Sequence, residues 1–352
     1  MTLDEVKSLV RPNILSLEPY ACARDEFKGE ADLFLDANEN SLGSVVAPSF
    51  NRYPDPLAAA VKEKVARIKG VRPEQIFLGN GSDEAIDLLF RLFCRPGEDA
   101  AVVQPPTYGM YAVSAAINDV RVLKVPLSRD FQPDPSALLA AAGAAVKLLF
   151  FCSPNNPSAN LMAAERVQAV LDGFPGMVVI DEAYIDFCPE ASWLGALARH
   201  PNLVILQTFS KAWGMAGLRL GMLFAHPFII GLLNHTKPPY NVDAYTQRYA
   251  LEALEHEGRK NEMAALLKTE REMLAAALAQ LPDVIRVFPS DANFLLVRFR
   301  AARKTFAALM RHGIIVRDRS SQLHCEECLR ITVGAPEENR VLVETLRSLG
   351  AA

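Results

Sequence analysis

The 352-residue chain has no run approaching the roughly 20 apolar residues needed to span a bilayer, so no transmembrane helix is expected. It also lacks a long basic stretch: 37 lysines and arginines face 41 aspartates and glutamates, for a net charge of −4. A nucleic-acid or anionic-membrane partner is therefore disfavoured, while a local pocket for a small anion stays open. Cysteine is scarce. The six at 22, 94, 152, 188, 325 and 328 are too few for a disulfide scaffold. One CxxC stands in "HCEEC", His324 to Cys328, but no second ligand pair accompanies it. It predicts no metal site and reads as a surface turn before a strand. Low-complexity segments and internal repeats are missing too. The opening MTLDEVKSLV carries acids where a secretory signal would place basic residues and an apolar core, so the expected location is the cytoplasm.

What the chain does have is apolar content for large cores. Half its residues are hydrophobic and 22% are charged, in a length suited to about two domains. The runs "AAVVQ", "RVLKVPL", "VKLLFFCSP", "MVVIDEAY" and "LVILQTFS" read as strands, the last three as buried parallel ones. Segments 105–118, 134–142 and 160–172 can supply helices between them, which predicts an α/β layered domain with a mostly parallel sheet. "LRLGMLFA" follows too soon for a crossover and is expected to enter antiparallel. From about 243 to 281 the pattern turns to an Ala- and Leu-rich helix. "ANFLLVRF", "GIIVRDR" and "LRITVG" then read as strands, with helices at 301–312 and 336–349, giving a smaller α+β domain.

The polar groups that could carry chemistry follow the ends of predicted strands, where open α/β sheets form their ligand crevice. "LGNGSDEAIDLLF" offers two glycines, Ser82 as the expected N-cap, and Asp83 and Glu84 in the first turn of a helix whose start can bind phosphate. "CSPNNPS" ends another strand with Asn155 and Asn156, and "VIDEAYIDF" ends the next with Asp181, Glu182 and Tyr184. A carboxylate at a buried strand end is costly unless a cation or donors meet it. "TFSKAWGMAGLR" then places Lys211 among Thr208, Ser210 and Arg219, all capable of binding phosphate oxygens. Each motif alone reads equally well as a turn or a structural ion pair. Together they ask for a ligand with a phosphate, a protonatable ring nitrogen and a carbonyl that a lysine can condense with. Pyridoxal 5′-phosphate has all three.

These motifs, with "NENSLG", "NRYPDP", "PPTYGMY", "KPPYNV", "DANFLLVRF", "GIIVRDR" and "LRITVG" in consistent order from about residue 11 onward, closely resemble the histidinol-phosphate aminotransferase family. The resemblance implies a fold-type I pyridoxal-phosphate-dependent transferase, with a large domain of mostly parallel mixed sheet flanked by helices and a smaller α+β domain. It divides the chain into an N-terminal arm at 1–27, a large cofactor domain at 28–258, a connecting helix at 259–281 and a small domain at 282–352. By the same resemblance Lys211 holds the cofactor aldehyde and shuttles the proton, and Asp181 pairs with the ring nitrogen. Asn156 and Tyr184 bind the ring 3′-oxygen and Tyr108 stacks on the ring. The backbone at Ser82 and Asp83, with Thr208, Ser210 and Arg219, takes the cofactor phosphate. Tyr53 reaches that phosphate from a neighbouring subunit, which implies a homodimer. Arg317 and Arg330 bind the substrate anion, and Tyr20 and Asn38 line the same end.

The implied reaction is transamination of L-histidinol phosphate with 2-oxoglutarate, giving imidazole acetol phosphate and glutamate in histidine biosynthesis. Relatives acting on aromatic amino acids, and threonine-phosphate decarboxylases, are the alternatives on this scaffold. A cofactor-binding sensor would carry a DNA-binding module, and no basic recognition helix is seen. Three departures stand out. Ser158-Ala159 occupies the place of the usual Thr-Gly, which removes freedom at the turn. Ser41 replaces a usual proline, and the stretch from 41 to 51 is short and expected to lack a helix.

Overall fold

The computed structural model describes residues 1–18, 20, 32–46 and 50–350. The expected boundary between arm and large domain at 27/28 lies outside them. Seven strands form the larger sheet: β1 (Ile76–Asn80), β2 (Ala100–Val103), β3 (Arg121–Lys124), β4 (Val146–Cys152), β5 (Met177–Asp181), β6 (Leu203–Thr208) and β7 (Leu220–Ala225). They lie in the order β1-β7-β6-β5-β4-β2-β3. β2 to β6 pair in parallel, while β7 is antiparallel to both β6 and β1. Only a short 3₁₀ turn, Ala216–Leu218, fits between β6 and β7, so the chain cannot cross over and returns alongside.

The central strands are apolar on both faces because both are covered. Val178 and Ile180 of β5 enter one core cluster and Met177 and Val179 the other; Leu203 and Ile205 of β6 divide from Val204 and Leu206 in the same way. Each such side chain stabilises the layers by about 1.5–3 kcal/mol relative to exposure. Near-continuous Val/Ile/Leu runs are what two-sided burial requires.

The smaller sheet holds β8 (Val284–Val287), β9 (Phe294–Phe299), β10 (Arg317–Asp318) and β11 (Cys328–Thr332), in the antiparallel order β10-β11-β9-β8. One face packs Leu295, Val297, Leu329 and Ile331 against Leu274 and Leu278 of the long helix Glu257–Ala279 and Leu342 and Leu346 of Pro336–Gly350. The other face lends Leu296 and Cys328 to a core cluster of the larger sheet.

Several sequence expectations shift. β1 and β8, and the helices Ala59–Lys69 and Pro227–Thr236, have no counterpart in the sequence reading. "GIIVRDR" keeps only a two-residue ladder at Arg317–Asp318. The run from 243 to 281 divides into Ala244–Leu254, capped by the Asp243 carboxylate on the N–H groups of Tyr245 and Thr246, and Glu257–Ala279. The "HCEEC" turn is not a surface feature at its thiols, since Cys325 and Cys328 are both fully buried.

Candidate active site

The crevice opens where β1, β4, β5 and β6 end. A cleft of about 510 Å³ is lined by Gly81, Ser82, Asp83, Tyr108, Cys152, Asn156, Asp181, Ala183, Tyr184, Thr208, Ser210, Lys211 and Arg219.

At one end lies the start of the helix Gly81–Phe93. Ser82 is not its N-cap, as expected from sequence; Asn80 is, and Gly81 already belongs to the helix. The helix starts two residues earlier, where it is pressed onto β7. Gly81 N–H donates to the Arg219 carbonyl at 2.5 Å, and a Cβ on Gly221 would lie 2.3 Å from the Ser82 nitrogen. Gly81 itself has φ +69°, and a Cβ there would meet the Arg219 guanidinium at 2.8 Å. Two glycines thus let the helix N-terminus stand beside an arginine, a pairing suited to an anion. Arg219 is 3.6 Å from Asp83, which also accepts from the Tyr108 hydroxyl at 3.0 Å. Thr208 Oγ1 accepts from Ser210 N–H at 3.1 Å and fixes the turn that leads to Lys211.

Asp181 closes the other end, 2% exposed. Its Oδ1 accepts from Ala183 N–H at 3.0 Å and its Oδ2 from the Tyr111 hydroxyl at 2.7 Å. No cation lies within ion-pair distance of it among the described residues, and burial pushes its carboxyl up to about 6. Glu182, its neighbour in sequence, faces elsewhere. It accepts from Ser192 Oγ, Trp193 N–H and Gln207 Nε2 at 2.6–2.8 Å and is structural. Asn155 is likewise tied up, with Thr107, Pro106 and Ser158, whereas Asn156 faces the cleft and its amide lies 3.4 Å from the Tyr184 hydroxyl.

Lys211 opens onto the cleft, its ammonium 5.4 Å from the Tyr184 ring centre and with no carboxylate partner among the described residues. The surrounding walls desolvate it, and this, with Arg330 nearby, lowers its pKa from the usual lysine value. Arg330 reaches in from the smaller sheet, 2.6 Å from Asn156 Oδ1 and over the Phe294 ring. Arg317 is its cross-strand partner.

Ten residues expected from sequence thus line one cleft: Ser82, Asp83, Tyr108, Asn156, Asp181, Tyr184, Thr208, Ser210, Lys211 and Arg219. Arg330 touches its wall. Arg317, Tyr20, Asn38 and Tyr53 do not line it. Tyr20 is 76% exposed, and Tyr53 stacks on Tyr240 in a separate recess that Asn38 also lines. Cys152 and Ala183 of the lining, and Tyr111 behind it, have no role in the sequence reading; Tyr111 lies on the helix Met110–Ile117, where an aromatic among apolar residues reads as core.

The donor set fits pyridoxal phosphate: N–H groups and a guanidinium for a dianion, a primary amine for a carbonyl, and a buried carboxylate lacking a cation for a protonated ring nitrogen. Sheet and cleft define a fold-type I pyridoxal-phosphate-dependent transferase. The model of the family described as aminotransferase class I and II matches residues 32–346. Histidinol-phosphate aminotransferases from Cytophaga hutchinsonii and Parabacteroides distasonis are 50% and 49% identical, over 97% and 99% of this chain and 98% and 99% of theirs. A solved histidinol-phosphate aminotransferase from Sinorhizobium meliloti in complex with pyridoxal 5′-phosphate superposes with TM-score 0.78 at 27% identity, covering 89% of this chain and 90% of that one. A solved L-threonine-O-3-phosphate decarboxylase from Porphyromonas gingivalis shares the fold, with TM-score 0.72 at 22% identity over 86% of this chain and 92% of its own. The chain belongs to the aminotransferase class I and II family, and within it to the histidinol-phosphate aminotransferases.

Proposed function

We propose that the chain transfers the amino group of L-histidinol phosphate to 2-oxoglutarate, giving imidazole acetol phosphate and glutamate, as a step of histidine biosynthesis. The observation that carries the substrate assignment is the near-half identity to histidinol-phosphate aminotransferases over almost the whole chain. When bound, pyridoxal phosphate supplies a carbonyl for amine condensation and a protonated ring that withdraws electrons from a breaking Cα–H bond.

The residues then divide the work. Lys211 Nζ, its pKa lowered from the usual lysine value by desolvation, stands where it would take the proton from Cα and return it to the cofactor carbon. General acid–base transfer of this kind contributes about 10²–10⁴-fold. Asp181 keeps a proton on the ring nitrogen, and in a poorly solvated cleft its charge acts more strongly than in water. Asn156 and Tyr184 orient the ring 3′-oxygen, and Tyr108 covers the ring. The backbone at Ser82 and Asp83, with Thr208, Ser210 and Arg219, would hold the phosphate. Arg317 and Arg330, neither paired with a carboxylate among the described residues, bind the substrate phosphate and, in the second half-reaction, a carboxylate of the oxo acid. Tyr20 and Asn38 complete that end.

In this reading the enzyme is a cytoplasmic homodimer whose Tyr53 serves the phosphate end of the other subunit's cleft. Support comes from the segment around it: Leu33, Leu35, Leu42, Val45 and Tyr53 are all at least half exposed, an apolar stretch that a second copy would cover. Purified enzyme given histidinol phosphate and 2-oxoglutarate is expected to form glutamate in step with oxo-acid loss. Carbon dioxide release in place of glutamate would identify a decarboxylase and overturn the assignment.

A further inference from the structure

Beneath the Asp181 carboxylate lies a side chain to which the reaction described so far gives no part. Tyr111 is fully buried, its ring stacked on Phe150 at 4.7 Å and edge-on to Tyr108 at 5.5 Å. Its hydroxyl donates to Asp181 Oδ2 at 2.7 Å, a short charge-assisted bond. The other carboxylate oxygen takes a backbone N–H from Ala183, so Tyr111 is the one side-chain donor to Asp181 among the described residues. The aromatic packing on two sides leaves the phenol little freedom, and the phenol in turn limits how the carboxylate can rotate. Tyr108, three residues earlier and just before the helix begins, donates to Asp83 beside Arg219. The short segment from Tyr108 to Tyr111, which leads into the helix Met110–Ile117, therefore steadies an acid at each end of the cleft.

Resting on the reading of Asp181 as the partner of the ring nitrogen, we propose that Tyr111 is a positioning residue for the reaction, its hydroxyl fixing the orientation of the Asp181 carboxylate and stabilising its charge until a protonated ring meets it. A buried carboxylate with one fewer donor tends to keep its own proton, and a neutral acid cannot pair with a ring cation. Without the hydroxyl the wall would still be filled, but the carboxylate would turn more freely and ionise less readily.

Tyr111→Phe keeps the packing and removes only the donor. The test compares binding of pyridoxal phosphate with that of its deaza analogue, in which a CH group replaces the ring nitrogen. Tyr111→Phe is expected to weaken pyridoxal phosphate about tenfold while leaving the deaza analogue within twofold, because only the former carries the proton Asp181 recognises. With the natural cofactor, kcat should fall about tenfold at unchanged KM for both substrates. Equal losses for the two cofactors would mean a packing role and overturn the proposal; no loss for either would overturn it as well. If Tyr111→Phe folds poorly, 3,5-difluorotyrosine at position 111 alters donor strength at nearly constant shape, and an unmoved ratio of the two affinities would refute the idea. Asp181→Asn run in parallel separates the two claims. If that variant also keeps the wild-type ratio, the fault lies with the role of Asp181; if it loses the ratio while Tyr111→Phe keeps it, only the role of Tyr111 fails.

Discussion

Lys211, Asp181, Asn156 and the helix start at Ser82 come from neighbouring strand ends of one sheet and meet in a single chain, whereas Tyr20, Asn38, Tyr53 and Arg317 come from an N-terminal segment and a second sheet and line no common space with them. Arg330 joins the two groups, through Asn156. The cofactor half is held by backbone geometry. Glycines at 81 and 221 leave no alternative for the helix start, and parallel pairing puts Cys152 of β4 level with Asp181 of β5. The substrate half is held by side chains on elements that need something further, a second copy or the substrate itself, to bring them together. A site preorganised at the cofactor and open at the substrate suits an enzyme that must accept two different substrates in alternation.

The largest expected effect breaks the preorganised half. Lys211→Ala should lower turnover by at least about 10⁴-fold, since the same amine is both attachment point and proton carrier. The visible absorption band of the bound cofactor should shift in the same variant. Wild-type turnover with an unchanged spectrum would remove Lys211 from the reaction. Mixing this variant with a Tyr53→Phe chain tests whether the other half is shared. A homodimer with Tyr53 crossing over predicts hybrids in which one cleft keeps both Lys211 and the partner's tyrosine, so activity should reappear from the mixture.

Next in size is the residue that joins the halves. Arg330→Gln removes a charged donor from the substrate anion and from Asn156, worth about 1.5–3 kcal/mol, or about 10–100-fold in KM. Both histidinol phosphate and 2-oxoglutarate should be affected. A change for only one of them would mean that each substrate has its own anion site.

A third test sharpens the contrast through pH. Burial raises the Asp181 carboxyl to about 6, so between the usual carboxylate range and about pH 6 the folded chain holds a proton that the unfolded chain has released. Stability contributed by this group therefore falls as pH rises through that window. Glu182 behaves alike, its carboxyl pushed up to about 7 by burial, but it faces away from the cleft. Adding pyridoxal phosphate supplies a cation for Asp181 only. The gain in melting temperature on adding cofactor is expected to be larger at pH 8 than at pH 5 and to lose most of that difference in Asp181→Asn. An equal gain at both values would contradict a charged partner for the ring.

The same contrast explains what could be read without coordinates. Buried parallel strands announce themselves as apolar runs, and polar residues just past their ends, such as Asp181 after "VVI", mark the crevice. The cofactor half was therefore legible from residue type and position. β8 was not, because it is half-exposed and Arg286 interrupts its short apolar run, and β1 was hidden by the glycine that its close packing demands. Tyr111 stayed unseen because a tyrosine in an apolar helix reads as core, and only its 2.7 Å contact shows otherwise. For the substrate half, no local pattern states which distant loops will meet.

The smallest effect is expected at the seam. Ala159 has φ +69°, in the left-handed region, is fully buried, and belongs to the core cluster that includes Tyr184, Phe187 and Phe294. Its carbonyl accepts from Asp291 N–H at 2.8 Å, and the Asp291 carboxylate accepts in turn from Leu161 N–H, tying the loop beside Asn156 to the entry of β9. Ala159→Gly would relieve about 1 kcal/mol of left-handed strain. It would also give up a buried methyl worth about 0.8 kcal/mol and add chain entropy in the unfolded state worth about 0.5–1 kcal/mol. These nearly cancel. The expected outcome is a midpoint of thermal unfolding within about 3 °C of the parent chain and an unchanged KM for either substrate. A much larger loss would show that the methyl supports the Tyr184 wall, so that alanine here is a packing device bridging the two halves and its strained backbone is the cost of that contact.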